Sequence, residues 1–206
     1  MLHLWGRTSS INVRKVMWTI QELGLEAQRT DAGGHFGLVK EAPFLRKNPN
    51  AMVPLLEDGE VVLWESNVIV RYLCARHAAG SLYPSGLPER FLAEQWMDWQ
   101  QTTFNPAGRI AFIQWIRTAA ADRNAEAIAS SCAATEPLLD LLDAHLSESA
   151  FVAGSRFTMA DIPVACEMHR WFGLPQARKP RTHLDRWYQG ILSRPAVRGV
   201  LDQPLA

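Results

Sequence analysis

Three consecutive hydroxyl residues, Thr8, Ser9 and Ser10, stand just ahead of apolar residues at helical spacing, Val13, Val16, Met17, Ile20 and Leu23. A hydroxyl at a helix start can cap a backbone N–H, or it can donate to an anion that the positive end of the helix dipole already favours. Asn12 is a further polar group in the same segment, and Ser10 stands four residues before Arg14. Arg7, beside the cluster, is either an exposed turn residue or a guanidinium able to hold an anion or stabilise charge on a leaving group. A second helix start carries Glu65-Ser66. There Ser66 can offer its N–H and hydroxyl to a carboxylate while Glu65 pairs with an ammonium, and the plainer reading is a capping serine beside a solvated glutamate. Phe104, Arg109, Phe112, Gln114 and Trp115, with Trp171 and Phe172 later, either form core or line an apolar cleft. Cys74, Cys132 and Cys166 are far apart without a CxxC pair and read as core thiols, and His145, His169 and His183 form no ligand cluster, so no metal site is expected.

The elements that must position these groups follow from periodicity. Leu2 to Trp5 is a short strand, the apolar series ending at Gly24 a helix, and Ala27 to Thr30 a weaker strand. The glycine-rich Gly33 to Gly37 and a short helix before Asn48-Pro49 come next. Val53 to Glu57 and Glu60 to Leu63 flank Asp58-Gly59, which predicts an antiparallel hairpin with a type I′ loop. A helix from Glu65 stops near Ala79-Gly80. Residues 80–88, rich in Gly, Pro and Ser, read as a linker between an α/β domain, 1–79, and an all-helical domain, 89–206. Pro106 predicts a bend there, and Thr158-Met159-Ala160-Asp161 a capping box with Phe157 and Ile162 as its hydrophobic staple and the helix starting at Thr158. The 206 residues hold 21 basic and 21 acidic side chains and 48% hydrophobic residues, which gives no charge excess for bulk nucleic-acid binding. No run is long and apolar enough for a membrane span, and the first ten residues lack a signal-peptide pattern, so a cytoplasmic protein is expected.

The segments RTSSINVRKV (7–16), KNPNAMVPLLEDGEVVLWESNVIVRYL (47–73) and FTMADI (157–162) give the chain a resemblance to the cytosolic glutathione S-transferases over essentially its whole length, and most to their serine-type bacterial and theta-like branch. The resemblance implies a thioredoxin-like N-terminal domain followed by an all-helical C-terminal domain, a homodimer, and glutathione as co-substrate with no metal. It makes Ser10 the donor to the glutathione thiolate, with Ser9, Thr8 and Asn12 as rivals. It sets Glu65 and Ser66 on the γ-glutamyl zwitterion and Val53, before a cis Pro54, on the cysteinyl backbone. Met52 stands where many relatives carry a polar residue and cannot donate a hydrogen bond. The cation for the glycyl carboxylate stays open among Lys40, His35, Lys47 and Arg46. Phe104, Arg109, Phe112 and Trp115 would line the electrophile site, with Arg7 near the sulfur. The implied reaction is transfer of glutathione to a small electrophile. The alternatives are glutathione-dependent isomerisation or dehalogenation, and a non-catalytic interaction protein of the same fold.

Overall fold

The computed structural model describes residues 1–206. Its first part is a four-stranded sheet made of β1 (Leu2–Trp5), β2 (Ala27–Thr30), β3 (Leu55–Asp58) and β4 (Val61–Trp64), in the order β2-β1-β3-β4. β1 runs parallel to β2 and antiparallel to β3, which pairs antiparallel with β4. Helices α1 (Ile11–Glu22) and α3 (Ser66–His77) pack on the sheet, and the short α2 (Ala42–Leu45) lies in the connection to β3. The hairpin forms with its loop one residue later than its sequence suggests. Asp58 pairs with Val61, so the two loop residues are Gly59 and Glu60. Gly59 has φ 64° and Glu60 is not among the residues with positive φ, an arrangement that suits a type II′ loop rather than I′.

The second part is helical: α4 (Leu87–Trp99), α5 (Asn105–Phe112), α6 (Ala125–Glu148), α7 (Asp161–Phe172) and α8 (Thr182–Leu192). Between α4 and α5 the chain takes a π-helical turn over Gln100–Phe104, and a second one, Ile113–Arg117, follows α5. The first sits directly before Pro106, whose ring and missing N–H prevent regular bonding to the preceding turn. Asn124 caps α6 by accepting from the Ala127 N–H at 2.9 Å. No helix is long and apolar enough to cross a membrane.

Helix α1 joins the two parts because it is buried on both sides. Val13, Val16 and Ile20 pack with Leu2, Leu4, Leu56, Ile69 and Leu73 over the sheet. Ile11 and Trp18 belong instead to the larger core of the helical part, with Met97, Phe104, Leu142 and Ile162. Burying one such side chain removes about 1.5–3 kcal/mol worth of apolar surface from water, so this shared helix ties the two cores firmly. The sides left between the apolar faces carry Arg14 and Lys15 into the interior, where both are buried.

Candidate active site

The end of β1, the start of α1, the loop before β3 and the helix from α5 onward enclose a cleft of about 290 Å³. Gly6 makes the turn out of β1 possible: its φ is 152°, and a β-carbon there would collide with Val13. Ser10 is the N-cap residue of α1, with extended backbone angles, φ −83° and ψ 122°. Its carbonyl accepts from the Arg14 N–H at 2.9 Å, as an N-cap carbonyl does, yet its side chain makes no capping hydrogen bond. The hydroxyl is therefore uncommitted, lies on the cleft wall, and sits among the unpaired N–H groups of the helix start. Arg7 and Asn12 line the same wall. Arg7 fits because Gly33 and Gly34, at φ 78° and 60°, leave room; a β-carbon on Gly33 would stand 3.0 Å from its Nη1.

Val53 and Met52 form the facing rim. The Val53-Pro54 peptide is cis. The Met52 carbonyl is fixed by the buried Asn48, whose Nδ2 donates to it at 2.9 Å, while the Met52 side chain is 62% exposed. Glu65 and Ser66 are not on the cleft wall and join it through Asn12, because the Ser66 hydroxyl donates to Asn12 Oδ1 at 3.3 Å. Glu65 is exposed, takes part in no ion pair, and holds φ 70°, a left-handed conformation that costs a non-glycine residue energy and that tends to persist at functional sites. Lys40 is exposed and off the cleft wall, which reaches only Val39. Lys47 is engaged with Glu57 at 2.7 Å, and His35 stacks on Phe36.

The helical side is divided. Arg109 and Phe112 line the cleft. Phe104 does not: it is 1% exposed and stacks on Trp99 with ring centroids 5.1 Å apart. Trp115 is also off the wall, packed against the Arg123 guanidinium at 5.1 Å, and Trp171 lies in the core against Gly108. Three residues that sequence reasoning passed over do line the cleft: Asn105, Arg117 and Arg170. They come from α5, the turn after it and α7, so no local pattern joins them. Arg170 bonds Glu167 Oε1 at 3.0 Å and Asn105 Oδ1 at 2.8 Å. Phe112 lies between two guanidiniums, with Arg117 4.8 Å and Arg170 4.6 Å from its ring. Burial first, and then the neighbouring Arg7, Arg170 and Arg109, lower the Arg117 pKa.

Beneath Ser66 lies Lys15, fully buried. Its ammonium donates to Gln100 Oε1 at 2.9 Å, to Asn67 Oδ1 and Gln101 Oε1 at 3.3 Å, and to Ser66 Oγ at 3.5 Å. All four acceptors are neutral. Burial therefore brings its pKa down from 10.5 to about 8, although Glu167 opposes the shift. Because the folded pKa lies below the unfolded one, the unfolded chain binds more protons between these two values, and stability rises with pH across that window by about 3 kcal/mol. Denaturant unfolding of wild type and Lys15→Met at pH values spanning the window should show this rise in wild type and its loss in the variant.

The arrangement offers an unengaged hydroxyl at a helix N-terminus, a backbone rim opposite, and guanidiniums on the far wall, which is suited to holding a bound anion next to a small partner molecule. The sequence matches the family models "Glutathione S-transferase, N-terminal domain" over residues 1–75 and "Glutathione S-transferase, C-terminal domain" over residues 101–195. It is 41% identical to "Glutathione S-transferase GstB" of Escherichia coli K12, with 100% of both chains covered. It is 30% identical to "Glutathione S-transferase 3" of Zea mays, over 95% of this chain and 90% of that one. Among solved structures, the theta class glutathione S-transferase of Xanthomonas axonopodis pv. citri with glutathione bound superposes with a TM-score of 0.96 at 39% identity, covering 100% of this chain and 99% of that one.

Proposed function

The chain belongs to the glutathione S-transferase family and is a glutathione transferase, and from that premise we propose that Ser10 is the residue that makes bound glutathione reactive. The observation that carries this reading is the Ser10 hydroxyl itself: it stands at the N-cap of α1, on the cleft wall, with its capping bond unmade. A free thiol has a pKa of about 8.5 and is mostly protonated at neutral pH. A hydroxyl donating to sulfur at the positive end of a helix favours the thiolate, and a depression of two units corresponds to about 2.7 kcal/mol. The thiol proton leaves to solvent. The sulfur then forms a bond to the electrophilic carbon, and the leaving group departs with its electron pair. In an addition, the electrons pass to the acceptor and a proton follows from water. Arg7, beside the sulfur position, stabilises charge as it develops. On this reading the protein belongs to the serine-type branch, which the uncommitted Ser10 hydroxyl supports.

Residues 1–79 bind glutathione in this reading, 89–206 supply the electrophile wall, and 80–88 join them. The γ-glutamyl carboxylate takes the N–H and hydroxyl of Ser66 at the start of α3, and Glu65 takes the ammonium. Val53 pairs its backbone with the cysteinyl unit beside Met52 and Pro54, and Lys40 is the cation offered to the glycyl carboxylate. Calorimetric titration with glutathione tests the assignment. Glu65→Ala and Ser66→Ala should each weaken binding by about 10- to 100-fold, the range set by a hydrogen bond to a charged group. Unchanged affinity in both variants would remove the assignment.

A homodimer and a cytoplasmic role in detoxification complete the proposal. Trp64, Val68 and Phe91 are 39%, 43% and 61% exposed on β4, α3 and α4, apolar side chains of the kind that a two-fold partner would cover. The three cysteines are unpaired, as suits a reducing compartment. Sedimentation at micromolar concentration should give twice the 23.1 kDa chain mass, and a monomer alone would contradict the dimer.

A further inference from the structure

The whole chain has a formal net charge of zero, yet the cleft wall carries Arg7, Arg109, Arg117 and Arg170 and no aspartate or glutamate. Only Arg170 is matched by a side-chain carboxylate, that of Glu167. Arg7 and Arg109 make no ion pair, and the Arg117 side chain makes a single long bond, to an oxygen of the last residue, Ala206, at 3.4 Å. Even Arg170, 9% exposed, has its Nε buried without a hydrogen-bond partner. Like charges gathered around one cavity raise its positive potential, which a bound anion relieves. The thiolate supplies one such charge. The remainder calls for a second anion on the helical side, where Phe112 gives a flat apolar floor between Arg117 and Arg170.

We propose that Arg109 and Arg117, with Arg7, form a carboxylate-binding subsite, and that the physiological electrophile is a small molecule carrying a carboxylate group. The inference rests on the reading that glutathione's sulfur sits at Ser10 in this cleft. The arginines hold the carboxylate, and the reacting carbon is turned toward the sulfur. Their exposure at the cleft mouth also draws anions in from solution.

A matched pair of aryl halides separates charge from shape: 4-chloro-3-nitrobenzoate and 4-chloro-3-nitrobenzamide. In each, the thiolate bonds to the ring carbon bearing chlorine, and chloride leaves with the electron pair of the broken bond. The kcat/KM ratio of acid to amide, corrected by the uncatalysed rates, is measured for wild type, Arg109→Gln, Arg117→Gln and the double variant, with glutathione affinity read separately by calorimetry. Wild type should favour the acid, and the ratio should fall by about 10- to 100-fold in the double variant, the worth of a lost charge-assisted contact. Added salt should lower the wild-type ratio as well, because the two guanidiniums are exposed. A wild-type preference for the amide, no catalysed turnover of the acid, or a ratio that survives the double substitution overturns the proposal. So does a double variant that loses glutathione affinity with its ratio intact, since the arginines would then serve glutathione. Failure of the parent reading looks different, because Ser10→Ala would then leave the titration of bound glutathione's thiolate unmoved, whatever the acid-to-amide ratio does.

Discussion

Asp161→Ala is expected to destabilise the fold by about 3–6 kcal/mol, a large share of the 5–15 kcal/mol that holds a typical domain together. Asp161 is fully buried, and its carboxylate is the acceptor for three buried N–H donors. Oδ1 takes the Val152 N–H and the Trp187 indole N–H, both at 3.0 Å, and Oδ2 takes the Thr158 N–H at 2.9 Å. Alanine removes the carboxylate that accepts from all of them, and each orphaned buried donor costs about 1–3 kcal/mol. For a chain of this size the melting temperature should drop by about 10–20 °C. Burial pushes the carboxyl pKa up to about 6, against the opposing hydrogen bonds from Thr158, Val152 and Trp187. Denaturant unfolding at pH 7 checks the figure, and a loss under about 1 kcal/mol would mean that the three donors find other partners.

Much of this arrangement was legible in the sequence where one local rule decides it. Thr158 and Asp161 stand at capping-box spacing, and one of the two bonds of that motif is present, from the Thr158 N–H to Asp161 Oδ2; Thr158 Oγ1 accepts from the Ala160 N–H at 3.3 Å, while the Asp161 N–H bonds the Thr158 carbonyl at 3.1 Å. The regular helix nevertheless begins at Asp161, because Met159 and Ala160 form a turn rather than helix. The bonds from Asp161 to Val152 and Trp187 could not be read, since they join segments that meet only in the folded core. The hairpin was visible from Asp58-Gly59, but only pairing with β1, where Leu2 faces Asp58, fixes which residues turn.

The site divides in the same way. Arg7 and Ser10 lie between β1 and α1, Asn12 in the first turn of α1, and Met52 and Val53 in the loop before β3, and the structure brings them to one cleft. Arg14 and Lys15 were missed because apolar spacing marks the faces of α1 and says nothing of the polar residues between them. A helix clasped by two cores buries those too. The aromatic residues near Pro106 carried no sign of side. Phe104 and Phe112 are eight positions apart, an offset of about 80° around a helix of 3.6 residues per turn, so Phe104 stacks on Trp99 in the core while Phe112, also buried, floors the cleft.

Ser10→Ala should reduce kcat at neutral pH by about 100-fold, the rate equivalent of losing roughly 2.7 kcal/mol of thiolate stabilisation. Activity should recover in part at high pH, where the thiol ionises unaided, and glutathione affinity should change much less, because Val53, Glu65 and Ser66 still hold the peptide. Arg7→Ala should behave otherwise, sparing the thiol's ionisation and impairing turnover of carboxylate-bearing substrates. Ser9 and Asn12 are the neighbours able to take the role instead. Asn12 accepts from Ser66 through Oδ1, which leaves its Nδ2 as a second donor in the cleft. The decisive measurement is the pH titration of thiolate absorbance for glutathione bound to wild type and to Ser10→Ala. The wild-type midpoint should lie well below the free value of about 8.5, with an upward displacement of about two units in the variant. An unmoved midpoint in Ser10→Ala, with Ser9→Ala or Asn12→Ala displacing it, would contradict the account and give the thiolate to that neighbour.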